Sequence, residues 1–204
     1  MKLYYSPGTC SQSVHIALHE AGVEHDIVRV DLAARTTEDG GDYARINPLG
    51  YVPALELDGG EVLLEAPAIL QFVADLRPEA GLAPANGTFE RVRLQEQLNF
   101  TASELHKSFG PFFAPVKPEG ALRAQALAKL GKRFDALEAR LSDGRAHVMG
   151  ESFTVADAYT FVVASWAGLI GFDLAQHPRV RDYVARVARR PHVREVLARE
   201  GLAA

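Results

Sequence analysis

Hydrophobic positions open the chain as a short run, Leu3-Tyr-Tyr5. They then recur at helical spacing, with Val14, Ala17, Leu18 and Ala21 on one face and His19 and Glu20 off it. Gly22 closes that helix, and a second apolar run over residues 26–30 completes a strand, helix, strand order. A polar stretch rich in Asp and Gly leads to two further strands, Val52-Pro-Ala-Leu-Glu-Leu57 and Glu61-Val-Leu-Leu64, flanking Asp58-Gly-Gly60. Glycine tolerates positive φ in such a turn, so the pair is expected to form an antiparallel hairpin. Ala68, Ile69, Phe72, Val73 and Leu76 then give a helical stripe that stops before Pro78.

Between Arg77 and Gly87 prolines and glycines replace large apolar residues, which predicts a linker over 78–86 and divides the chain into domains 1–77 and 87–204. Beyond it the period is helical throughout, over roughly 88–108, 119–141, 155–170, 179–189 and 192–200. The fold class is therefore an α/β domain followed by an all-α domain. Thr154 and Asp157 have capping-box spacing, with Asp in place of the usual Glu or Gln, and are read as a structural cap.

Composition narrows the function classes. With 204 residues, 48% of them hydrophobic, the chain is long enough for one large or two small domains. A net charge of -4 without a basic run gives no footprint for nucleic acid or an anionic membrane. The run Phe161-Val-Val-Ala-Ser-Trp-Ala-Gly-Leu-Ile170 is too short to span a bilayer, which needs about 20 apolar residues. Pro7 and Gly8 interrupt any export signal, so a cytoplasmic location is expected. Cys10 is the only cysteine, which excludes an internal disulfide.

Cys10 falls between a strand and a helix, where free N-H groups favour a thiolate; the alternative is a cysteine packed as a small hydrophobe. Cys10 to Ser13 also spells C-x-x-S, a redox pair whose second thiol is replaced, so an external thiol would have to resolve a mixed disulfide. Val52-Pro53 at a strand start predicts a cis bond, with the Val52 backbone turned toward an extended peptide ligand, against an ordinary trans edge proline. Glu65-Ala-Pro67 opens a helix whose N-H groups suit a carboxylate while Glu65 suits an amine; Glu65 also reads simply as a favourable charge at a helix start. Asn99, Ser103 and His106, spaced by four and three, form a polar stripe beside Lys107, as a ligand face or a solvated one. His15 and His19 have the i, i+4 spacing of a zinc pair, yet no third ligand is near in sequence, so no metal is expected. The glycines compose no phosphate loop.

The segments Met1-Lys-Leu-Tyr-Tyr-Ser-Pro-Gly-Thr-Cys-Ser11, His15-Ile-Ala-Leu18, Asn47-Pro-Leu-Gly-Tyr-Val-Pro-Ala-Leu55, Glu104-Leu-His-Lys-Ser108 and Phe153-Thr-Val-Ala-Asp-Ala-Tyr159 together resemble the beta class of bacterial glutathione transferases. The resemblance runs along nearly the whole chain. It implies a thioredoxin-like β-α-β-α-β-β-α domain plus a helical domain, assembled as a homodimer, with glutathione as co-substrate and no permanently bound cofactor. It further implies that Cys10, Val52, Pro53, Glu65, Ala66, Asn99, Ser103, His106 and Lys107 contact glutathione, with Cys10 and His106 catalytic. Arg35 stands where the family commonly has Lys and by the same resemblance keeps the positive charge toward the glycyl carboxylate of glutathione, and Ala66 stands where it has Gly or Ser. Phe109, Phe112, Phe113 and Trp166 are candidates either for the apolar pocket of a small hydrophobic electrophile or for the helical core. The expected activity is conjugation of the glutathione thiolate, with thiol-disulfide transfer through Cys10 as a companion. A glutathione-dependent dehalogenase or peroxidase, and a non-catalytic binding protein on the same fold, are the alternatives.

Overall fold

The order strand, helix, strand at the start of the chain requires a parallel pair, because only a crossover long enough to hold a helix can bring the second strand alongside in the same direction. The computed structural model, which describes residues 1–202, has this arrangement. Strand β1 (Lys2–Tyr5) pairs parallel with β2 (Asp26–Asp31), and α1 (Ser11–Glu20) makes the crossover. On the other side β1 pairs antiparallel with β4 (Ala54–Glu56), which turns into β5 (Val62–Leu64) in the hairpin register Leu55 to Leu63. A two-residue strand β3 (Thr36–Thr37) lies outside β2, so the sheet order is β3-β2-β1-β4-β5. Helix α2 (Ala66–Leu76) follows.

This is the thioredoxin-like series, with its middle helix reduced to one 3-10 turn, Tyr43–Arg45, capped by the Asp42 side chain. The connection around it is mostly exposed and offers Tyr43 alone as a fully buried anchor, too little apolar surface for an amphipathic helix. The Tyr43 hydroxyl donates to the Tyr51 carbonyl at 2.8 Å and steadies the segment that leads to Val52.

The second half is helical: α3 (Phe89–Asn99), α4 (Lys107–Phe113), α5 (Gly120–Arg140), α6 (Val155–Leu169), α7 (Pro178–Ala188) and α8 (Pro191–Arg199). Between α3 and α4 the chain does not break; Phe100–His106 is wound as a π-helix. The apolar run at 161–170 is explained by α6, whose residues 155–164 are all buried, and no helix among the described residues is long and apolar enough to cross a membrane. The cap of α6 forms as the spacing predicts. The Asp157 carboxylate accepts from the Thr154 N-H and hydroxyl, both at 2.9 Å, from the Val148 N-H at 2.8 Å, and from the Tyr183 hydroxyl at 3.2 Å.

One hydrophobic core runs through both halves, from Leu3, Val14 and Leu70 to Leu98, Phe134, Val162 and Val193. Helix α1 packs against α2, α6 and α8. Directed polar contacts fix the joint. Arg91 forms a bidentate pair with Asp75, and Arg190 does the same with Glu20. The fully buried Glu200 carboxylate takes the Gly8 N-H at 3.0 Å, the Gln12 amide at 2.9 Å and His15 Nδ1 at 2.9 Å.

Candidate active site

The loop joining β1 to α1 is braced from within before it presents anything. Ser11 Oγ lies 3.2 Å from both the Ser6 N-H and the Ser6 carbonyl, and 2.8 Å from Thr9 Oγ1. Glu200 holds the Gly8 N-H, and the Trp166 indole donates to the Gly8 carbonyl at 2.8 Å. Two residues further on, Cys10 occupies the N-cap of α1 with no side-chain cap. The N-H groups of Cys10 and Ser11 face its sulfur and favour the anion, as expected at a helix start.

Burial outweighs them. Cys10 is partly exposed as a residue, but its sulfur sits deep, and desolvation pushes the thiol up to about 12, with the Glu65 charge adding to the rise. The thiol therefore donates to the Val52 carbonyl at 3.2 Å instead of resting as a thiolate, which corrects the expectation from helix position alone. Ser13 is no substitute for a resolving thiol. Its hydroxyl is fully buried and donates to the Cys10 carbonyl at 2.6 Å.

The Val52-Pro53 bond is cis, as expected, and both residues are buried at the entry to β4. Glu65 begins α2 without a side-chain cap, at φ 68 and ψ 110. A non-glycine residue at positive φ is uncommon and persists only where the surroundings impose it. Here the turn leaves the exposed Glu65 side chain outside while Ala66 is buried behind it. Arg35, also at positive φ, lies across Gly50, where an added Cβ would come within 3.3 Å of its guanidinium Nε. Arg35 is thereby placed near the segment that carries Val52.

The polar stripe divides. At α-helical winding Asn99, Ser103 and His106 share a face, but a π-helix advances each residue by roughly 80° rather than 100°, so seven residues shift His106 by about a third of a turn. Asn99 and Ser103 stay exposed, and Ser103 Oγ donates to the Asn99 carbonyl at 2.8 Å. His106 turns inward. Its Nδ1 lies 2.8 Å from the Tyr159 hydroxyl, and its ring meets Trp166 edge to face at 4.8 Å. Burial, reinforced by exposed Lys107, lowers His106 to about 4, so the imidazole is neutral near pH 7.

Tyr159 closes the Phe153–Tyr159 segment, and its hydroxyl stands where it feels both Cys10 and Glu65, with burial holding it protonated. Nothing in the local spacing marks it. Only the packing of α6 against α1 brings it there. Of the four aromatic candidates, Phe109 and Phe112 are core residues, while Phe113 is 49% exposed and packs perpendicular to Trp166 at 5.4 Å. A groove of about 710 Å³ lies elsewhere, between Phe89, Arg93, Arg140 and Arg145.

The chain matches two family models, "Glutathione S-transferase, N-terminal domain" over residues 8–76 and "Glutathione S-transferase, C-terminal domain" over residues 100–191. It is 40% identical to glutathione S-transferase GstA of Escherichia coli O157:H7 over 202 residues, covering 99% of this chain and 100% of the relative. Among solved structures it is similar to a sphingomonad glutathione S-transferase complexed with glutathione, at 46% identity, TM-score 0.94 and full coverage of both chains (100% and 100%). It is likewise similar to a beta class transferase of Sphingomonas chungbukensis, at 45% identity, TM-score 0.95 and the same coverage of 100% and 100%. The chain belongs to the glutathione S-transferase family, within its bacterial beta class, and is a glutathione transferase.

Proposed function

We propose that glutathione lies along the open edge between α1, Val52 and α2, with its sulfur at the N-H groups of Cys10 and Ser11. The observation that carries this reading is the uncapped start of α1, whose two N-H groups are turned on a sulfur beside the Val52 carbonyl. Val52 and Pro53 offer the extended backbone, the start of α2 at Ala66 suits the γ-glutamyl carboxylate and Glu65 its amine, and Arg35 suits the glycyl carboxylate. N-H groups and His106, with Tyr159 behind it, favour the glutathione thiolate, which attacks an electrophilic carbon and displaces its leaving group or adds across it. Exposed Phe113 beside Trp166 suits a small hydrophobic electrophile. Asn99, Ser103 and Lys107 complete the proposed contact set. The reading takes 1–77 as the glutathione half, 78–86 as the linker and 87–204 as the helical half, in a cytoplasmic homodimer.

Calorimetric titration with reduced glutathione, on wild type and on Cys10→Ala, tests the site. Binding by both proteins is expected, because the N-H groups survive the substitution; no binding by wild type would overturn the reading.

A second activity rests on the Cys10 sulfur itself. Cys10, giving up its proton, attacks the glutathione sulfur of a mixed disulfide between glutathione and another thiol, forming the Cys10–glutathione disulfide and releasing the other thiol, which takes the proton. A reduced glutathione then attacks the glutathione sulfur of that disulfide, giving glutathione disulfide and returning Cys10 as a thiol. Thiol transfer absent in Cys10→Ala with conjugation intact would assign the two activities to different sulfurs.

A further inference from the structure

The inner part of α1 carries a second group of side chains that the transferase chemistry does not use. His15 and His19 stand one turn apart, and the loop after α1 brings His25 back against them. One ring nitrogen of each residue lies within 4.8 Å of those of the other two. The three rings pack edge to face, with centroids 5.1, 5.5 and 5.3 Å apart. His25 is the third imidazole of the group, brought there by a fold that the spacing of His15 and His19 does not show.

In all three rings Nε2 is buried and has no hydrogen-bond partner among the described residues. Nδ1 is the nitrogen that is held. His15 Nδ1 lies 2.9 Å from the Glu200 carboxylate, His25 Nδ1 lies 2.8 Å from the Val23 carbonyl, and His19 Nδ1 faces the Glu195 carboxylate at 3.4 Å. Carbonyl and carboxylate oxygens only accept, so Nδ1 is the donor at the His15 and His25 contacts, and a neutral ring that donates from Nδ1 carries its lone pair on Nε2. Buried acceptors that accept nothing are costly, and native proteins rarely keep one, let alone three side by side. A ring nitrogen anchored on a carboxylate or backbone carbonyl, with the opposite nitrogen free, is the outer-shell arrangement of metal-ligating histidines.

We propose that His15, His19 and His25 form a binding site for a divalent transition-metal ion, Zn²⁺, through their Nε2 atoms. Three imidazoles and no oxygen donor suit zinc and exclude calcium and magnesium. Three protein ligands with water in the fourth position satisfy its tetrahedral preference. At Zn–N distances of about 2.0–2.1 Å the nitrogens stand roughly 3.4 Å apart, so the rings close by at most about 1.5 Å, within reach of small side-chain rotations. The carboxylates of Glu200 and Glu195 offset the charge of the ion, against the opposing field of Arg199 and the N-terminal ammonium. Since Glu195 and Glu200 belong to the end of the chain, the ion clamps α1, the following loop and α8 together; it takes no part in the reaction at Cys10.

The test is titration of untagged, full-length, chelator-treated protein with Zn²⁺ alone, with Co²⁺ in parallel because its visible absorption reports the ligand geometry. One ion per chain with micromolar or tighter affinity, a tetrahedral Co²⁺ spectrum and a rise in thermal midpoint are expected. His25→Gln and His19→Gln should each weaken binding at least 100-fold, whereas His192→Gln, on the exposed face of α8, should leave it unchanged. His25→Gln is the cleaner variant, since the only hydrogen bond of its ring among the described residues is to the Val23 carbonyl, and circular dichroism checks that it folds. Absence of stoichiometric binding would overturn the proposal. So would binding that survives both His25→Gln and His19→Gln, which would place the ion on surface histidines.

Discussion

Helices α1 and α6 begin in opposite ways, and both begin next to the boundary between the two halves of the molecule. At α6 the cap is filled from inside the protein: Asp157 receives two groups of Thr154, the Val148 N-H and the Tyr183 hydroxyl, and is itself fully buried. At α1 the N-cap residue Cys10 gives no side-chain cap, and the N-H groups of Cys10 and Ser11 face its sulfur, the Ser11 N-H also meeting Thr9 Oγ1 at 3.4 Å. Every α-helix leaves its first N-H groups without intrahelical partners, so each helix start must be filled by the protein, by water or by a ligand. The α6 start is filled and structural. The α1 start is the one proposed to meet a ligand, and its loop is braced by Ser11, Glu200 and Trp166.

Four substitutions or titrations would break or sharpen this contrast. Asp157→Ala strands several buried donors and should cost about 3 kcal/mol in urea unfolding; a loss under about 1 kcal/mol would show that the α6 cap is ornamental. Glu65→Gln keeps the shape of the second open helix start but removes its charge, and should weaken glutathione binding about tenfold, the equivalent of about 1.4 kcal/mol, with little change in stability. Unchanged affinity by calorimetry would remove Glu65 from the ligand site.

The third concerns pH. His106 is lowered to about 4 by burial, below its unfolded value near 6.5, so its contribution to stability is fully present above about pH 6.5 and is lost as pH falls toward 4. His106→Asn should therefore flatten the acid limb of the stability profile over that window, and an unaltered limb would show the imidazole to be solvated. The smallest effect is expected from Cys10→Ala, which removes one S-H donor from the Val52 carbonyl. Its stability should stay within about 1 kcal/mol of wild type, because only one weak S-H donor to a carbonyl is lost.

The sequence carried much of the fold and part of the site. Strand and helix periodicity, the hairpin at Asp58-Gly-Gly60, the cis Val52-Pro53 bond and the Asp157 cap are local properties, readable because each depends on residues within a few positions of one another. The helix start at Cys10 was legible for the same reason. Its protonation was not, since a thiol pKa depends on how deep the sulfur lies beneath neighbours from other elements. The split of the Asn99, Ser103 and His106 stripe does not show in α-helical spacing, because the Phe100–His106 segment is wound as a π-helix.

What the sequence by itself determined is therefore the inventory: an α/β unit, a helical unit, one cysteine at a helix start, and histidines one turn apart on the same helix. Tertiary structure decided the company these groups keep. It set Tyr159 behind His106 and Trp166 on Gly8, and it brought His25 to His15 and His19. The reason is physical: secondary structure follows local torsions and periodicity, whereas desolvation and the pairing of lone hydrogen-bonding groups depend on chain segments that meet only when the core closes.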